Sequence, residues 1–168
     1  DMGVNMAGNC IVDDEVCRAA SKMEILRRYY TAKMELVQGK GTEETVRKLE
    51  LVMQQGGVTP DICPAVAASL EKAETTGAPA GAMVLPDGQV VTGKTSGTLG
   101  AAAALLLNAL KALGHIDDQF ELISKQVLEP VCHLKTTYLD LRNPRLHADD
   151  VLLTLAISAL TNPLSDLA

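Results

Sequence analysis

The chain has 168 residues and a formal net charge of −6, enough length for one real hydrophobic core and no basic excess to hold nucleic acid. Trp is absent, Phe120 is the one Phe and there are three Tyr, so aliphatic side chains must fill the core and base-stacking platforms are lacking. The longest apolar run, Leu99 to Leu107, is cut by Asn108 and Lys111, which is too short and too polar for a membrane span.

Residues 1–9 (DMGVNMAGN) are rich in Gly and Asn and read as an irregular lead-in. No basic segment followed by an apolar one marks a signal peptide, so a cytoplasmic location is expected. Asp13 or Asp14 is placed to cap a long helix running to about Gln38. Along it Val16, Ala19, Met23, Leu26, Tyr30, Met34 and Val37 recur at spacings of three and four, one apolar stripe. Thr42 starts a second helix with Glu43 and Glu44 in its first turn, where the helix dipole favours carboxylates. Val46, Leu49, Val52 and Met53 form its buried edge. Asp61 is placed to cap a third helix, with Pro64 in its first turn, Val66, Leu70 and Ala73 facing inward, and Gly77 ending it.

The pattern then changes. Residues 82–85 are apolar and short, Pro86-Asp87-Gly88 is a turn signal, and residues 89–92 are β-former rich, which together predict a hairpin. A helix follows at once. Leu99, Ala103, Leu106, Leu110 and Leu113 form one stripe, and Ala101, Ala102, Leu105 and Ala109 fill other sides, so burial on most faces is expected. Gly114 ends it, with His115 in the cap region. Asp117 or Asp118 is placed to cap the next helix, with a break or kink near Glu129 before Pro130 and a second half reaching about Tyr138. Residues 149–161 read as a last apolar helix through Val151, Leu152, Leu155, Ile157 and Leu160, stopped by Asn162-Pro163.

The run GQVVTGKT (residues 88–95) satisfies the phosphate-loop pattern G-x-x-x-x-G-K-[ST]. Its first Gly belongs to a turn, however, and Val90 and Val91 resist the tight amide-lined loop that cradles phosphate. The downstream half is a better candidate. Gly93, Lys94, Thr95, Ser96 and Thr98 lead into a helix whose N-terminal amides are able to hold an anion. The competing reading has Ser96 or Thr98 simply capping that helix. A secondary cluster, Arg142, Asn143, Arg145 and His147, offers forked guanidinium recognition of phosphate or carboxylate. Its bland reading pairs the arginines with Asp140, Asp149 or Asp150. No Ser or Cys nucleophile is tied to His147 by spacing, and His133 beside Cys132 points elsewhere on a helix, so no catalytic residue is assigned. Four cysteines without C-x-x-C spacing read as free buried thiols, and no metal site is expected.

Several stretches together resemble a known family: Asp1–Gly8, Leu26–Tyr30, Thr92–Ser96, Ala104–Leu113 and Asn143–His147. In order and content they are similar to the C-terminal region of the bacterial family catalogued as domain of unknown function 1846. The resemblance spans essentially the whole chain and supplies no reaction and no accepted catalytic residues. It implies a longer protein, about three times this length, whose N-terminal α/β part carries its own nucleotide-binding-like loop.

The expectation is therefore a predominantly helical α+β fold, with six or seven helices and one short hairpin near 82–92. It is read as one domain that is a fragment of a longer protein: a helical half (1–77), hairpin and loop (78–95) and a second helical half (96–168). The leading function is a helical accessory or assembly domain that packs against a nucleotide- or phosphate-binding partner domain of the same protein and forms homo-oligomers. The alternative is an enzyme or ligand-binding module for a phosphorylated small molecule, in which the two polar clusters converge at one pocket. No cofactor is evident beyond a nucleotide or phosphate, and neither nucleic acid nor membrane is expected as a partner.

Overall fold

The structure, a computed structural model, describes residues 13–168. The lead-in at 1–9 and Cys10 lie outside them. The chain divides into two compact units between Cys63 and Pro64. Among the described residues there are seven α-helices and one two-stranded antiparallel sheet, the predominantly helical α+β class expected.

The first unit holds α1 (Asp14–Val37) and α2 (Glu43–Gly56), packed on each other, followed by a single 3₁₀ turn, Pro60–Ile62. Asp13 caps α1 by accepting the Glu15 and Val16 N–H groups, both at 3.0 Å. Thr42 caps α2 through the Thr45 N–H at 3.3 Å. The apolar stripe read along α1 is mostly uncovered: Leu26 and Ala32 are buried, whereas Val16, Met23, Tyr30, Met34 and Val37 are exposed. The reason is that one helix packed beside α1 covers only one face of it, and α1, at 24 residues, also outruns the 14 residues of α2 at its N-terminal end.

The second unit begins with α3 (Pro64–Thr76), whose Pro is its first residue; Asp61 sits in the 3₁₀ turn and does not cap it. Leu70, expected inward, is exposed. Strands β1 (Ala80–Val84) and β2 (Val90–Lys94) then form the hairpin in the register Ala80↔Lys94 to Val84↔Val90. The turn closes through Gly88 N–H to Leu85 O at 2.9 Å, and Gly88 takes φ 87°, a conformation that suits a residue without Cβ.

Helix α4 (Ala101–Leu113) crosses the hairpin at Gly93. A Cβ there would lie 2.2 Å from the Leu105 nitrogen, so only glycine lets strand and helix backbones approach this closely. Leu85, Val91 and Ala109 close the small core between them. The expected helix from Asp117 is absent: residues 117–124 are irregular, Asp117 Oδ1 accepts the Gln119 N–H, and the segment buries Leu122 and Ile123. Helix α5 (Lys125–Thr137) starts later and runs through Pro130 without ending there. Helix α6 (Ala148–Ser158) follows. Asn162 does not simply stop the chain's helices; it caps a further short one, α7 (Pro163–Leu167). The main core of the unit gathers Ala103, Leu107, Leu122, Ile123, Leu128, Leu146, Val151 and Leu155.

Candidate functional site

The structure brings the two polar clusters of the sequence side by side. Residues 98–100 pair with Leu146 in a short parallel bridge: Leu146 N–H donates to Thr98 O at 2.8 Å and Gly100 N–H to Leu146 O at 3.0 Å. Next to it, Arg145 Nε donates to Ser96 O at 2.7 Å across 49 residues of sequence. Arg145 N–H is in turn held by Asn143 Oδ1 at 3.1 Å. The bland pairing of Arg142 or Arg145 with Asp140, Asp149 or Asp150 is not found among the described residues.

Other members of the first cluster stand apart. Lys94 ends β2 opposite Ala80, and Thr95 N–H donates to Pro79 O at 2.8 Å. Strand alternation directs the Lys94 side chain to the sheet face opposite Gly93, hence away from the helix that Gly93 contacts. Neither Lys94 nor Thr95 bonds to the second cluster. Ser96 and Thr98 do not cap α4. Ser96 Oγ instead accepts the Leu99 N–H at 3.0 Å, inside the loop, and the N-cap of α4 is Gly100, which has no side chain to accept a bond.

Beneath the loop lies a pair the motif reading missed. Lys135, only 4% exposed, extends from α5 and donates Nζ to Asp150 Oδ2 and to Arg145 O. The same Asp150 oxygen accepts the His147 N–H at 2.9 Å, so one carboxylate both caps α6 and neutralises the buried ammonium. Burial pushes the Asp150 carboxyl up. The hydrogen bonds from Lys135 and His147 and the Lys135 charge outweigh it and hold the group below its ordinary value. Cys132, whose Sγ lies 3.8 Å from Thr98 O, is pushed up by burial against the opposing pull of Lys135, a poor setting for a thiolate. The signal for Lys135 was its position: with Leu128, Val131 and Cys132 it falls on the inward face of α5.

Two hollows border this half of the unit. One, of about 510 Å³, runs along residues 89–92, where β2 begins, and is rimmed by Lys72, Asn108, Lys111, His115 and Asp118. The other, of about 250 Å³, is lined by Thr98, Leu107, Lys111, Glu121 and Lys125 among others. Thr98 is the one residue of the two candidate clusters that lines either. Among the described residues no group of three or more His, Cys, Asp or Glu side chains gathers as a metal site. No described helix is long and apolar enough to cross a membrane.

Comparison with known proteins bears on what this arrangement belongs to. Residues 61–168 match the family described as Domain of unknown function DUF1846, C-terminal. Residues 1–57 match its N-terminal counterpart, so the chain spans the junction rather than the C-terminal region alone. A UPF0371 protein of Streptococcus pyogenes serotype M3 is 47% identical over 168 residues, covering 100% of this chain and 34% of the relative. One from Streptococcus equi subsp. zooepidemicus is 48% identical over the same span, again 34% of its length. One from Corynebacterium efficiens is 48% identical over 159 residues, 95% of this chain and 32% of the relative. The chain thus spans about a third of the length of the curated relatives it matches, and on the match over 61–168 it belongs to the DUF1846 family.

Proposed function

We propose that this chain is the accessory and assembly part of a longer polypeptide, docking onto a nucleotide- or phosphate-binding portion of that polypeptide. The observation that carries the reading is the outer face of α6. Val151, Thr154, Leu155 and Ser158 are buried, while Leu152, Leu153, Ile157 and, just past the helix, Leu160 are exposed, the last at 83%. At roughly 100° per residue these exposed side chains fall within one continuous sector. Burying one such side chain contributes about 1.5–3 kcal/mol, which makes the face a strong candidate for coverage. Homo-oligomerisation of the longer polypeptide and a cytoplasmic location belong to the same proposal.

The test places Leu153→Asp and Ile157→Asp together in the chain alone and in a polypeptide of the relatives' length. The chain alone should keep its melting temperature and bind less of the hydrophobic dye ANS. The longer polypeptide should lose stability by several kcal/mol. Unchanged melting of the longer form would remove the docking reading.

A second reading, a binding module for a phosphorylated small molecule, draws on the Ser96–Arg145 contact. That contact brings the two clusters together and leaves the terminal guanidinium nitrogens of Arg145 without a hydrogen bond among the described residues. In it Ser96 and Thr98 provide one wall and Arg142, Asn143, Arg145 and His147 the other, while Gly93 is packed against α4 and Lys94 and Thr95 stand apart. A phosphate or nucleotide at about a hundred times its dissociation constant should add roughly 2.7 kcal/mol of stability. Arg145→Ala should abolish the shift and Lys94→Ala should leave it. A shift that survives Arg145→Ala would place the ligand elsewhere.

A further inference from the structure

Among the described residues the sheet has only two strands, so β2 has one side paired with β1 and one side unpaired there. Which backbone groups face the unpaired side follows from the register. Leu85 N–H donates to Gln89 O and Thr95 N–H to Pro79 O, so these residues belong to hydrogen-bonded pairs. In an antiparallel ladder such pairs alternate with non-bonded ones. The bonded pairs therefore continue as Met83↔Val91 and Gly81↔Gly93, and Val90, Thr92 and Lys94 turn their N–H and C=O groups away from β1. An independent contact agrees: Asn108 Nδ2, from α4, donates to Thr92 O at 2.9 Å, standing where the N–H of a neighbouring strand would stand.

The rest of that edge has no such partner among the described residues. Val90 N–H, Val90 O and Thr92 N–H find no hydrogen bond, and the hollow of about 510 Å³ runs alongside, lined by residues 89–92 in succession. None of its lining comes from β1. An extended backbone laid in it would meet two donors and an acceptor at strand spacing.

We propose that the free edge of β2 receives a β-strand from the part of the longer polypeptide that lies outside this chain. The relatives supply the occupant's source, since about two thirds of their length falls outside the match. Lys72 and Lys111 stand against Asp118 along the rim, which favours a strand bearing acidic side chains. The inference rests on the docking reading above and specifies one of its contacts.

Amide hydrogen exchange, read residue by residue, tests it. In the chain alone the Val90 and Thr92 amides should exchange quickly. In a polypeptide of the relatives' length they should slow by at least about tenfold. Val90→Pro removes an outward donor without touching the ladder to β1 and should return Thr92 to fast exchange there. Equal, fast exchange in both forms overturns the strand pairing. Slow exchange in the chain alone also overturns it, assigning the edge to this chain itself or, where the slowing grows with concentration, to a second copy. Docking through α6 is read separately from dye binding. Lost dye binding with Thr92 unprotected would remove the strand and leave the docking reading standing.

Discussion

Asp150 is held by Lys135 and His147 below its ordinary carboxyl range. The unfolded chain therefore takes up that proton first as pH drops. The stability it contributes is complete above about pH 4 and is lost as pH falls through the depressed folded value. Asp150→Asn should cost about 3 kcal/mol or more at neutral pH, because it leaves the buried Lys135 ammonium without its counter-charge. Urea unfolding should show a smaller loss between pH 6 and pH 3 in this variant than in the parent, and parallel losses would count against the pair. Lys135→Met should be milder, since Asp150 keeps the His147 N–H and is half-exposed. At Gly93 the obstacle is backbone: a Cβ would meet Leu105 N at 2.2 Å, whereas one at Gly97 meets nothing within 4 Å. Gly93→Ala should cost about 1–3 kcal/mol or more, and Gly97→Ala should stay within about 0.5 kcal/mol in thermal unfolding. The second glycine of the phosphate-loop pattern thus has a packing reason to be glycine.

Among the elements, α5 contains its own weakness. Pro130 is the sixth residue of the helix and gives no N–H to Gln126 O. Pro130→Ala should raise stability by about 1–3 kcal/mol in denaturant unfolding. Elements with a capping residue and a clear period were legible: Asp13 and Thr42 mark the starts of α1 and α2, and Pro86-Asp87-Gly88 marks the hairpin turn. Asp117 was misread because an Asp that caps a helix and an Asp that folds a turn offer the same acceptor to N–H groups ahead of them. Burial of Leu122 and Ile123 decided for the turn, and that burial depends on residues far away in sequence. The alternative reading expected the two polar clusters to converge at one pocket; Ser96 O meets Arg145, but of the two clusters only Thr98 lines a described hollow. Lys135 was not anticipated, because a lysine on a helix is ordinarily solvated and only its place on the apolar face of α5 argued otherwise.

At the scale of the whole molecule, α1 and α6, one helix in each unit, carry more exposed large apolar side chains than any other described element. The chain alone should therefore bind ANS more strongly than a polypeptide of the relatives' length does, measured at equal molar concentration. Equal binding would mean that the additional length covers neither face. The contact between residues 96–100 and 145–147 carries a consequence for synthesis. A nascent chain that has emerged only as far as Thr137 already contains the hairpin and α4, yet it lacks the strand partner of Leu99, the acceptor for Gly100 and the carboxylate that neutralises Lys135. Its second unit can close only after the ribosome has delivered Leu146 and Asp150, late in the order of emergence. A ribosome stalled before those residues should yield a product that proteases degrade, and release of a few more turns of chain should convert it abruptly to a resistant one.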